Sequence, residues 1–230
     1  MPLRSLGNDR GILTPRRLVV RSSEMDQAAQ FTTTVSGGTV AFTTASLAAV
    51  NRYGIAELAT GITTTGRAAV NSPAMDQLTA GSGLIRFTAI LKTPSALSDA
   101  TNRYSISTGL GNSATVLNPG VSLIVRYRDN INSGKWQIFT NAVSGASAID
   151  TGITVAVDTW YRIEMEVAKD SSNCLVWINS AQVGSFSSSG GIPTGTTEAV
   201  GAVCLLLKSA GTTSRTMYLD YMDIVQEIER

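Results

Sequence analysis

Residues 158–186, DTWYRIEMEVAKDSSNCLVWINSAQVGSF, constrain this chain more than any other stretch. Tyr161, Ile163, Met165 and Val167 alternate with Arg162, Glu164 and Glu166. Successive side chains of an extended strand point to opposite faces. The alternation therefore describes a strand with one face in a core and the other in water. The KDSSN cluster at 169–173 is a turn, and 174–178 is a second apolar, aromatic run. Residues 179–182 turn that run into a third, at 183–186. The stretch predicts a three-strand meander.

Composition extends the reading to the whole chain. Its 230 residues suffice for one large sandwich with a substantial core. Charged residues make up 15% against 43% hydrophobic, and many short runs sit between Gly, Ser and Thr. That combination predicts all-β structure. A formal net charge of +1 argues against a general nucleic-acid binder, which carries a basic excess. Of eighteen basic residues only four are Lys (Lys92, Lys135, Lys169 and Lys208). Arg forms fixed bidentate pairs at interfaces, so this choice leans toward an assembly protein, with lineage bias as the alternative. Cys174 and Cys204 both lie in apolar runs and read as buried free thiols. The N-terminus has no apolar signal region, and no run reaches the length of a membrane span. The expectation is synthesis in a cytoplasm, with no membrane partner.

In chain order, residues 1–30 read as an arm and 31–230 as the sandwich. Arg4, Arg10, Arg16, Arg17 and Arg21 stand against the single acid Asp9 in the first 21 residues. Such a segment buries too little apolar surface to fold alone. It is either a disordered tail or an assembly element that orders against a partner's carboxylates. From Phe31 the chain breaks into short strands, with edges meeting at Gly37-Gly38 and a turn bracketed by Gly61 and Gly66. Residues 46–53 fit a short helix or a strand. Ile85, Phe87, Ala89 and Leu91 alternate inward, and so do Val121, Leu123, Val125 and Tyr127. Residues 199–208 read as a strand buried on both faces, and 217–228 as the last strand. The count is twelve to fourteen strands with no long helix.

The order Trp160-Tyr161-Arg162, an alternating strand, a turn and then LVWINSAQVGSF resembles the central hairpins of concanavalin A-like (laminin G-like) jelly-roll sandwiches. YGIAELATGITTTGRAAV (53–70) and LIRFTAILKTPSALSDATNRYSISTGLGNS (84–113) are similar to β-sandwich domains of tailed-bacteriophage virion proteins. Together these similarities cover 50–225. They imply a concanavalin A-like jelly roll with an extended N-terminal arm. They further imply a non-enzymatic structural protein of the virion, made in the host cytoplasm. Its expected place is the outer surface, as a capsid decoration (cement) protein or a short tail or fibre component. The expected partners are capsid or tail subunits, and the expected assembly is a homotrimer. Many relatives carry a His-Pro-Gly corner where this chain has Tyr53-Gly54. With no His anywhere, no role of that His carries over.

The missing His removes His-based metal sites and His-dependent nucleophilic catalysis. Some sandwiches of this fold hydrolyse β-glucans with an E-x-D-x-x-E strand. Here Glu164 and Glu166 share a face but the third acid is absent, so they read as the wet face of a strand. Asp220 and Asp223, and the tip 129–133, lack the converging oxygens that calcium needs. No Gly-rich phosphate loop occurs, and no cofactor is expected. The second functional class is a lectin-like module that recognises host-surface glycans. Trp136 is its best candidate contact, with Tyr127 and Asp129 near the same tip, although core packing is the leading reading of that indole. For Trp160 and Trp177 the expectation is packing between strands or sheets.

Overall fold

The computed structural model describes residues 16–24, 31–43, 54–73, 78–128, 132–187, 191–194 and 197–228. These residues form fifteen strands in two antiparallel sheets. One sheet runs, in spatial order, β13 (Ala181–Ser187), β12 (Asn173–Ile178), β11 (Trp160–Val167), β6 (Leu84–Lys92), β15 (Thr216–Ile228), β4 (Ile55–Ala59) and β3 (Thr39–Thr43). Its eighth strand, β1 (Arg16–Glu24), also pairs with β15. The second sheet runs β10 (Gly145–Thr154), β9 (Lys135–Ala142), β8 (Ser122–Arg128), β7 (Arg103–Gly111), β14 (Gly201–Ala210), β5 (Gly66–Asn71) and β2 (Thr32–Ser36). The expected meander is β11–β12–β13. The turn 179–180 has φ of 51° and 68°, the left-handed pair of a two-residue hairpin that Asn tolerates at its first position.

The inward sets of both sheets meet in one core. Ile85, Phe87, Ala89 and Leu91 of β6, with Tyr161, Ile163, Met165 and Val167 of β11, face Leu123, Val125 and Tyr127 of β8 and Cys204 and Leu206 of β14. This is the face-to-face packing of a sandwich. Cys174 and Cys204 are free, buried and on different sheets. Burial pushes the Cys204 thiol up to about 12 and the Cys174 thiol higher still.

The chain crosses between sheets where β2 leads to β3 and where β4 leads to β5. Both crossings nest at one glycine corner. A Cβ on Gly61 would lie 2.0 Å from the Gly37 carbonyl oxygen, and one on Gly38 would lie 2.4 Å from that of Ala59. Only glycine allows backbones to approach so closely. β2 and β3 are thus edge strands, as expected, but of different sheets.

Two expectations are corrected. Arg16, Arg17 and Arg21 lie on β1, which pairs with β15 from Arg16↔Ile228 to Glu24↔Tyr221. This part of the expected arm is ordered by its own chain, because β4 covers β15 only at Thr216–Leu219 and leaves the rest of that edge open. Arg4 and Arg10 lie outside the described residues. The second correction concerns Trp136 and Tyr127 as glycan contacts: they are 0% and 1% exposed, and Trp136 takes the core packing that is its leading reading from sequence. Trp136 stacks edge-on against Tyr127 (6.4 Å) and Tyr161 (5.3 Å), and Tyr104 continues the row 5.6 Å from Tyr127. Both residues follow the inward parity of β8 and β9, so neither reaches a ligand. Asp129 lies outside the described residues, as does 46–53.

Candidate functional site

Strand parity builds the site on the outer face of the eight-stranded sheet. In β12, Cys174, Val176 and Ile178 are buried, which turns Leu175 and Trp177 outward. Trp177 stands opposite Glu164 of β11, Glu164 opposite Thr88 of β6, and Thr88 opposite Asp223 of β15. The neighbouring row is Leu175, Glu166, Arg86 and Val225. At the strand spacing of about 4.8 Å, each row crosses the sheet over roughly 14 Å.

The hairpin is locked to its neighbour through Asn179. Its backbone N donates to the Arg162 carbonyl (2.8 Å), and its side-chain Oδ1 accepts from the Arg162 backbone N (2.9 Å). This clamp sets Trp177 beside β11. A cleft of about 330 Å³ results, lined by Arg86, Thr88, Glu164, Glu166, Trp177 and Ser180, with Phe87 and Met165 on its floor.

Its charges are tied together. Arg86 Nε donates to Glu166 Oε2 (2.8 Å) and Nη1 to Glu227 Oε1 (2.7 Å). These pairs, Glu166 first, hold the Arg86 guanidinium above its ordinary value. Arg162 Nη2 donates to Glu164 Oε1 (2.8 Å). Each carboxylate keeps oxygen lone pairs for a further donor, and the half-buried indole offers an apolar surface beside them. Both Glu residues face guanidinium groups, whereas a general acid keeps its proton in an apolar pocket. Among the described residues no group of three or more Cys, Asp or Glu converges on a metal position.

Glu164 and Glu166 therefore share the outer face, as expected, and the structure adds Arg86, Thr88, Trp177 and Ser180 around them. Trp160 also begins β11 on the outer side, opposite Lys92. Of the two packings expected for Trp160 and Trp177, between strands or between sheets, the second is thus corrected. The signal was present, since a buried Cys174 by parity sends Trp177 out.

A family model described as SO2946-like, C-terminal domain, matches residues 51–220. No curated protein matches the sequence. Among solved structures, an endo-β-1,4-glucuronan lyase of the fungus Trichoderma reesei aligns at TM-score 0.64 and 11% identity, covering 92% of this chain and 98% of that one. The protein SO2946 of Shewanella oneidensis MR-1, of unknown function, aligns at 0.62 and 13% identity, covering 94% and 92%. A carbohydrate esterase of the Shiga toxin-encoding bacteriophage phi24B aligns at 0.58 and 10% identity, covering 92% and 99%. At such identities the likeness establishes the jelly-roll fold and nothing about chemistry.

Proposed function

The chain belongs to the SO2946-like, C-terminal domain family, and we propose that it is a non-enzymatic glycan-binding module whose sugar site is the Trp177 cleft. The observation that carries this reading is an outward indole flanked by Glu164, Glu166 and Arg86 on a rigid sheet. The C–H face of a pyranose stacks on indole, while carboxylates accept from its hydroxyls and a guanidinium donates to ring or hydroxyl oxygens. The carbohydrate-directed names of the lyase and the esterase support the ligand class by analogy of fold. A binding role without catalysis is supported by the missing third acid, the absence of His and the arginine pairing of both carboxylates.

Location on a tailed-phage particle, as a decoration protein or a short tail component in trimers, is a second reading. It rests on the resemblance of 50–225 to virion sandwiches, and it is compatible with a host-glycan site. Binding to a glycan panel tests the first reading: Trp177→Ala should weaken the best ligand about tenfold, the effect of one stacking contact. Retained affinity in that variant, or cleavage of a bound polysaccharide that Glu164→Gln abolishes, would refute it. Co-sedimentation with intact particles tests the second.

A further inference from the structure

The near-neutral net charge conceals one basic face. On the seven strands of the second sheet, Asp150 is the single acid. Arg67, Arg103, Arg126, Arg128 and Lys135 stand at its outward positions, since Ala68, Tyr104, Ile106, Val125, Tyr127 and Trp136 take the inward ones. Asp150 is already engaged by Lys135 Nζ (3.1 Å), Asn132 Nδ2 (3.1 Å) and the Gly152 backbone N (2.7 Å). Among the described residues no carboxylate pairs with Arg67, Arg126 or Arg128.

Arg126 is buried, 6% exposed, with neutral partners only. Its Nε and Nη2 donate to Gln137 Oε1 (2.9 and 2.6 Å), its Nη1 donates to Asn118 Oδ1, and it stacks 3.9 Å above the Phe139 ring. Burial, with the Arg128 charge added, pushes Arg126 down to about 10. Arg67 donates Nη1 to the Thr115 carbonyl (3.4 Å), and its buried Nε has no hydrogen-bond partner among the described residues. A buried cation without a counter-charge is costly and is normally paired.

The loop 112–121 defines where a ligand would lie. It seats on the sheet at Gly111, where a Cβ would meet the Pro119 ring at 3.2 Å, and Asn141 Nδ2 donates to the Pro119 carbonyl (3.0 Å). Ala114 joins Ile124, Val203, Leu205 and Ala69 in a small apolar cluster beneath it. The loop thus covers one end of the face. The row Arg128, Ser105, Leu207 and Arg67 remains beside it, running from β8 across β7 and β14 to β5.

We propose that this row is a second binding site, which takes an acidic polysaccharide along the wall formed by loop 112–121. Arg128 and Arg67 are three strand spacings apart, roughly 14 Å, so they meet separate charges on one extended chain rather than one small anion. Guanidinium binds carboxylate or sulfate through two parallel bonds. The aromatic side chains of this sheet point into the core or, as Phe139 does, lie under Arg126. That disfavours single-stranded nucleic acid, which needs rings for base stacking.

Affinity electrophoresis in gels containing polygalacturonate tests the assignment, with neutral dextran as the blank. The parent should be retarded by polygalacturonate alone, and retardation should fade between about 0.05 and 0.5 M salt as charges are screened. Arg67→Gln with Arg128→Gln should weaken binding at least about tenfold, as expected for lost charge-assisted bonds. Arg67→Lys with Arg128→Lys should retain part of it, and Lys169→Gln should leave it unchanged. A parent that is not retarded, a double Gln variant that binds as the parent does, or tighter binding of a single-stranded oligonucleotide would each overturn the proposal. The Trp177 reading is measured separately, on neutral sugars, so either can fail alone.

Discussion

Trp136 and Trp177 show how one residue type takes opposite roles through strand parity. Trp136 alternates with Lys135 and Gln137 on β9 and lies wholly inside, edge-on to Tyr127 and Tyr161. Trp177 alternates with Val176 and Ile178 on β12 and lies outside. Truncating the first removes a fully packed aromatic and leaves a cavity between the sheets. Trp136→Ala should therefore cost about 3–5 kcal/mol of stability in urea unfolding, whereas Trp177→Ala, half-buried on a surface, should cost far less. Equal destabilisation by the two changes would contradict the placement of these indoles.

Among the elements, β15 organises its sheet. Its thirteen residues exceed what any single neighbour covers. β6 pairs along one edge from Tyr218 to Glu227, while the other edge is shared by β4 at Thr216–Leu219 and β1 at Tyr221–Ile228. An uncovered edge of that length would leave a row of backbone donors and acceptors open to water or to another chain. Deleting residues 1–24 should speed amide hydrogen exchange at alternate positions of 221–228 and leave β4 protected. It should also increase self-association, measured by sedimentation. Unchanged protection over 221–228 would show that β1 contributes no pairing in solution.

On the scale of the whole molecule, the two sheets share one core but carry different charge on their outer faces. The eight strands of one sheet carry Glu24, Glu57, Glu164, Glu166, Asp220, Asp223 and Glu227 with Arg16, Arg17, Arg21, Arg86, Lys92 and Arg162, a near balance, while the seven-stranded face is basic. Each sheet also holds one buried thiol, which serves as a reporter. At pH 8 both thiols are protonated and shielded in the folded state, since burial raises them far above that pH. A single core predicts one cooperative transition. Cys174 and Cys204 should thus become alkylated at the same urea midpoint. Two midpoints would mean that the sheets come apart separately.

The sequence by itself determined the strands. Period-2 runs such as 161–167 and 85–91, bounded by turn clusters, specify extended segments and their buried faces from local geometry alone. The all-β class, the buried thiols and the meander β11–β12–β13 follow from that pattern. β10 escaped it, because Gly, Ala and Ser at 145–148 give little contrast between faces. Partnership between distant strands was not legible, since a strand's periodicity says which side is apolar but not which strand lies beside it. Pairing of β1 with β15 and the crossing of sheets at the Gly37–Gly61 corner are long-range choices of this kind. So is the gathering of Trp177, Glu164 and Arg86, which come from three strands. Only the tertiary structure decided these, because cross-strand register, set by the joint burial of both sheets, is what brings separated residues onto one surface.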